Sequence, residues 1–197
     1  MTVVVLTVDQ DASRHGPDQV PTALEALAAV PTRLAFERTA GDEFQGVLDE
    51  PAAVVSALEV LLRSGEWNIG IGVGEVETPL PDHARAGRGA AYVHAREAVT
   101  TAKSSPWHVR AVGEPDAVRA LESATWLWAA LLARRTPRGW EVADLVDEGL
   151  TYDEAATRIG ISQSAVSQRA AAAGIAEGRR ARELVEFLTR TALEGPR

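Results

Sequence analysis

The chain has 197 residues, enough for one large domain or two modest ones that each bury a core. Hydrophobic residues make up 46% and charged residues 24%, which excludes a low-complexity or disordered chain, and the lack of cysteine excludes disulfides and thiolate metal sites and fits a reducing compartment. The net charge of −8 argues against wholesale nucleic-acid binding, but residues 151–197 hold seven arginines against six Asp and Glu, so the acidic excess lies before them.

The first element is TVVVLTV, residues 2–8, β-branched and continuous like a strand buried on both faces. It is too short for a membrane span and lacks the flank and cleavage site of a signal peptide, so a cytoplasmic protein without a membrane partner is expected. VPTALEALAAV follows with helical spacing. TRLAFERTA and FQGVLDE then flank Gly41-Asp42-Glu43 and predict a hairpin around a tight turn. PAAVVSALEVLLRSG reads as a helix with Pro51 in its first turn, WNIGIGVGEVE as a strand, GAAYVHAREAVTTAK as a helix and WHVRAVG as a strand. The order β-α-β-β-α-β-α-β resembles a ferredoxin-like arrangement, the split βαβ theme. From Asp116 the pattern is helical throughout. The expected fold class is therefore α+β, with a ferredoxin-like domain over residues 1–114 and an all-α domain over residues 115–197.

The most specific signal lies in LTYDEAATRIGISQSAVSQRAAAAGI. Thr151-Tyr152-Asp153-Glu154 has the capping-box form, with Ala155, Ala156 and Ile159 on the inner face of the helix that follows. Gly160 supplies a left-handed turn, Ile161 plugs the angle, and Ser162 caps a second helix that buries Ala165 and Val166. These parts predict a helix-turn-helix. Its second helix would turn Gln163, Ser164, Ser167, Gln168 and Arg169 to base edges, since Gln pairs bidentately with adenine. Arg158, Arg169 and the Arg179-Arg180-Arg182 cluster would neutralise phosphates. The bland alternative is a helical hairpin that only packs or dimerises. The preceding helix, with Leu121, Trp126, Leu127, Trp128, Leu131 and Leu132, is expected to be core and dimer surface. The closing helix, with Leu184, Val185, Phe187 and Leu188, would pair with a partner chain.

In the first half, AGDEFQG (Ala40–Gly46) carries the chemistry. Asp9 ends the first strand, and Asp42 and Glu43 lie at the hairpin tip, which a split βαβ sheet would place beside that strand. Clustered carboxylates of this kind hold a hard cation, Mg²⁺ or Mn²⁺, and the cation in turn holds phosphates. The alternative is a solvated turn with Asp9 capping a helix.

AGDEF differs by one residue from the GGDEF signature of diguanylate cyclases, and a GD hairpin also marks class III nucleotide cyclases. Both resemblances imply a palm domain in which Asp9 and Asp42 bind metal and Glu43 adds a ligand. Ile69-Gly70-Ile71-Gly72-Val73-Gly74-Glu75 and Ala95-Arg96-Glu97-Ala98 resemble further cyclase segments. D-x-x-x-S-R (Asp9–Arg14), GDEFQG, IGIGVGE, G-A-A-Y-x-x-A-R-E-A (Gly89–Ala98) and S-Q-S-A-V-S together resemble the SatD family, which implies a cyclase-like palm fused to a helix-turn-helix. Departures bear on catalysis. Tyr92 stands where class III cyclases place an asparagine, Ala40 replaces one glycine, and Arg38 stands in place of a base-binding lysine. Groups that would stabilise charge on phosphorus are incomplete, so no catalytic residue is assigned.

Gly70-x-Gly72-x-Gly74 is not a dinucleotide fingerprint, because a strand runs through it; small residues there would let a helix pack closely. His15, His83, His94 and His108 lack zinc spacing. Arg85 and Arg88 lie in a loop that could reach an anion. The reading is a DNA-binding regulator, a homodimer, whose palm binds a nucleotide through Arg38, Arg88 and Arg96, with Mg²⁺ or Mn²⁺ at Asp9, Asp42 and Glu43. The alternatives are a metal-dependent nucleotide-processing enzyme of the palm type and a scaffold that binds only protein.

Overall fold

The structure, a computed structural model, describes residues 1–11 and 16–195; Ser13, Arg14 and His15 of the readings above lie outside those residues. Strands β1 (Thr2–Gln10), β2 (Leu34–Ala40), β3 (Glu43–Leu48), β4 (Trp67–Glu75) and β5 (Val109–Val112) form one mixed sheet in the order β2-β3-β1-β4-β5. All neighbours are antiparallel except β4 and β5. Among the described residues there are eight α-helices: α1 (Val20–Leu27), α2 (Pro51–Ser64), α3 (Ala90–Ala102), α4 (Pro115–Leu132), α5 (Pro137–Asp147), α6 (Tyr152–Ile159), α7 (Gln163–Ala172) and α8 (Ile175–Glu194). The protein is α+β, in the element order expected. None of these helices is long and apolar enough to cross a membrane.

Alternation along the strands sends two different surfaces to the two sides of the sheet. On one side the register aligns Val4, Leu6 and Val8 of β1 with Leu48 and Phe44 of β3 and with Val73, Ile71 and Ile69 of β4. This large apolar face is the main core, and α1, α2, α4 and α8 supply Val20, Leu58, Leu61, Leu121, Trp128, Leu132 and Val185 to it. On the other side Val3, Val5 and Val47 meet Ala91 and Ala95 of α3. There Gly70, Gly72 and Gly74 form a groove in β4. A Cβ on Gly70 or Gly72 would collide with backbone atoms of Ala91, Ala95 or Val99, and one on Gly74 would lie 3.0 Å from the Ala91 nitrogen. The glycines let α3 rest its backbone on the strand, which is the close packing their spacing implied.

The packing groups the helices differently from the boundary expected at residue 114. Helices α4 and α8 belong to the sheet's core, to which they bring Val118, Leu121, Trp128, Leu132, Val185 and Ala192. Side chains of α4 also close the β5 edge: Glu122 accepts from the Ala111 N–H at 2.8 Å, and the Trp126 indole N–H donates to the Val109 carbonyl at 2.8 Å. Helices α5, α6 and α7 build a second, smaller core from Val142, Val146, Ala155, Ala156, Val166 and Ala170, which also takes in Ile175 at the start of α8. Trp140 packs against both cores, with the Arg63 and Arg135 guanidinium groups 4.3 and 4.6 Å from its ring centre. Arg63 also forms a two-pronged ion pair with Asp144 at 2.7 and 2.8 Å, tying α2 to α5.

Candidate functional sites: a carboxylate edge and a polar helix face

The hairpin turns at Gly41, whose φ of 59° suits a residue without a Cβ. The register then sets Glu43 of β3 level with Asp9 of β1, and Asp9 level with Asn68 of β4. Glu43 rather than Asp42 is therefore the carboxylate side by side with Asp9, while Asp42 contributes its carbonyl to the Gln10 N–H at 3.2 Å. Two carboxylates opposed across neighbouring strands repel each other unless a cation intervenes.

Helix α3 and its C-cap residue supply two cations. Lys103 Nζ lies 2.8 Å from Asp9 Oδ2. Arg96 grips both oxygens of Glu43, with Nη1 on Oε2 and Nη2 2.8 Å from Oε1. Thr39 of β2 adds a hydroxyl that donates to Glu43 Oε1 at 2.6 Å. The carboxylates are largely buried, with side-chain exposures of 15% for Asp9 and 11% for Glu43, whereas Lys103 and Arg96 lie over them from the solvent side at 57% and 60%. The hydrogen bond to Asp9, aided by the charges of Asp9, Asp42 and Glu43, raises the Lys103 ammonium above the ordinary lysine range despite some desolvation. Next along the row, Asn68 is buried and its Oδ1 accepts from the His108 ring Nδ1–H at 2.9 Å. Trp107 and His108 have φ of 58° and 55°, a left-handed backbone held at this edge without glycine.

A divalent cation of the Mg²⁺ type takes about six oxygen ligands, several of them anionic. Among the described residues no three His, Asp or Glu side chains are gathered in that way. The carboxylate oxygens such an ion would use face an ammonium and a guanidinium instead, so in this arrangement the donor set does not fit a divalent cation. Arg38 is held close by, its Nη2 donating to both oxygens of Asp18 at 2.8 and 2.6 Å and its Nη1 to the Gly41 carbonyl at 2.7 Å. The Arg38 hydrogen bond keeps the Asp18 carboxyl below its ordinary range. Arg88 does not join them. Its carbonyl accepts from Glu77 beyond the far end of β4, at the other end of the sheet from Asp9. His94 also points away, its ring Nδ1–H donating to the Val73 carbonyl at 2.7 Å.

The sequence reading missed Lys103, Asn68, His108 and Thr39. Two of them were within reach of pattern. Lys103 follows Arg96 by seven residues, two helical turns on the same face, and Asn68 precedes Gly70 by two, on the same side of β4.

The second candidate is built from α6 and α7. Thr151 Oγ1 accepts from the Glu154 N–H at 3.3 Å while Glu154 Oε2 accepts from the Thr151 N–H at 2.8 Å, a complete capping box. Hydrogen bonds from Thr151, first from its backbone and then from its side chain, lower the Glu154 pKa. Gly160 ends α6 at φ 69°, and Ser162 Oγ accepts from the Ala165 N–H at 3.2 Å to begin α7. Val166 and Ala170 face inward. Ser162, Gln163, Ser164, Ser167 and Gln168 are exposed, and none of the last four uses its side chain in a hydrogen bond among the described residues. Arg158 is likewise exposed, with no ion pair among the described residues.

The remaining arginines expected to meet phosphate are engaged elsewhere. Arg169 lies 3.3 Å from Glu141 of α5, Arg179 is 3.6 Å from Asp147, Arg180 pairs with Glu183, and Arg182 reaches Glu59 and Ser56 of α2. Burial outweighs the attraction of Arg182 at Glu59, whose pKa is raised. The pairs of Arg179 and Arg182 bind α8 to α5 and α2, and that of Arg169 binds α7 to α5. Comparison with protein-family models, with curated proteins and with solved structures finds no match to this chain.

Proposed function

We propose that the chain is a DNA-binding transcriptional regulator in which α6 and α7 form a helix-turn-helix and the α/β unit is a cyclase-like palm kept for sensing, as the SatD resemblance implies. The observation that carries this reading is the doubly capped pair α6–Gly160–α7, whose outer surface leaves Gln163, Ser164, Ser167 and Gln168 free of internal partners. Exposed amides at the start of a helix are suited to base edges in a major groove, and Arg158 at the turn is suited to a phosphate. Leu127, Leu184 and Phe187, exposed on the packed pair α4 and α8, are the surface on which a homodimer would form. Arg38 and Arg96, flanking the hairpin, would contact a nucleotide or related phosphorylated signal only by releasing Asp18 and Glu43, and Arg88 would do so only if it moved.

The test is selection of binding sequences from a random duplex library with the full chain, followed by titration across salt. One enriched sequence is expected, bound with an affinity that falls steeply with salt. Arg158→Ala should lower the slope of log affinity against log salt by about 0.9. Absence of enrichment together with absence of salt-dependent binding would sink the DNA reading. Calorimetry with ATP, GTP and cyclic mono- and dinucleotides tests the sensor, which no heat with any of them would remove. Sedimentation of wild type against Phe187→Ser tests the dimer, and a monomeric wild type would remove it.

A further inference from the structure

The unusual feature of the carboxylate edge is how its repulsion is relieved. Asp9 and Glu43 stand opposite each other on the central strands, nearly covered, in an arrangement that demands positive charge. That charge comes from one helix. Arg96 belongs to α3 and Lys103 is its C-cap residue, and α3 is held to β4 by the direct backbone contact at Gly70 and Gly72. The cations are thus delivered from one helix and its C-cap, seated directly on the strand. Thr39 completes the Glu43 oxygens from the far side, leaving each carboxylate satisfied within the chain.

We propose that Lys103 and Arg96 are tethered counter-ions, taking the place at Asp9 and Glu43 that a divalent cation would occupy, so that this edge of the sheet is complete without metal. The consequence is a reciprocal one. Removing the tethered charges leaves two adjacent carboxylates, Asp9 and Glu43, free to collect a hard cation from solution. The inference concerns the sheet edge alone and stands or falls separately from DNA binding by α7.

The test uses the chelator-treated full chain and MnCl₂ as the probe, read by thermal unfolding and by calorimetry. Wild type should show no heat and no change in its midpoint. The double variant Arg96→Met, Lys103→Met should unfold at lower temperature in chelator and recover by about 5 °C or more at saturating Mn²⁺. Lys103→Met alone, which leaves Glu43 paired, provides the same reading if the double variant does not fold, with a smaller recovery. Mn²⁺ binding by wild type that Asp9→Asn abolishes would overturn the proposal. So would folded variants that ignore Mn²⁺, since the tethered charges would then not be holding a cation's place. A triple variant that adds Asp9→Asn should lose the recovery.

Discussion

The carboxylate edge and the outer face of α7 are both rich in polar side chains, yet they are opposites in use. At the edge, Asp9, Glu43, Lys103, Arg96 and Arg38 each meet a partner within the chain. On α7, Gln163, Ser164, Ser167 and Gln168 meet none among the described residues. Internal pairing spends a side chain on position, whereas an exposed unpaired amide keeps its hydrogen-bonding capacity for something outside. Residue type drew attention to both regions, but availability separates them, and availability depends on what the fold brings alongside.

The sharpest way to break the contrast is to unseat α3. Gly72→Leu forces a side chain into the backbone of Ala91 and Ala95, where neither strand nor helix can yield by a rotamer change. Overpacking alone costs about 1–3 kcal/mol, and a clash with backbone should reach or exceed the upper figure. Arg96 and Lys103 would move off the carboxylates with the helix. Denaturant titration should show the loss, and hydrogen exchange should show it concentrated in α3 while α7 keeps its protection, because α5–α7 have a core of their own. Equal loss in both regions would show that the two cores are one cooperative unit.

How much of this was open to sequence follows from the range of the interactions. The α6–Gly160–α7 unit was legible almost residue by residue, since a capping box, a left-handed glycine and a second cap are all local. The succession of strands and helices along the chain was legible too, because alternation and turn residues are local signals. The register that sets Glu43 rather than Asp42 beside Asp9 was not, as it depends on where two strands slide to rest. Nor was the fate of the arginines. Arg169, Arg179 and Arg182 looked free in the sequence because Glu141, Asp147 and Glu59, their partners, come from other helices. The second role of α4 and α8, as cover for the sheet, escaped for the same reason: an amphipathic helix announces that it has an apolar side but not what it faces.

A smaller perturbation acts on the other region alone. Ser162→Ala removes the side-chain N-cap of α7 and should cost about 1 kcal/mol. The loss should be confined to the α5–α7 core, leaving the Arg96 and Lys103 pairs intact. Hydrogen exchange would place it in the first turn of α7, and a matching loss in α3 would contradict the separation of the two regions. DNA affinity should fall as well, because Gln163 and Ser164 would lose their fixed presentation at the start of the helix.

The smallest expected effect is a pH dependence belonging to α6. Its capping partner Glu154 has a pKa below the ordinary glutamate value because its carboxylate accepts from the Thr151 N–H and hydroxyl. A group whose pKa is lowered by folding stabilises the folded state above its unfolded pKa, about 4.3, and loses that contribution as pH falls through the lower folded value. Protection of the first α6 amides should therefore weaken on the acid side of that range while the neutral-pH pattern is unchanged. Glu154→Gln keeps an oxygen that can accept from Thr151 but removes the titration, so its acid-side decline should be shallower than that of wild type. Identical pH profiles for the two would show that the carboxylate charge contributes nothing to the cap, and that the hydrogen-bond geometry alone fixes the start of the helix leading into Gly160 and α7.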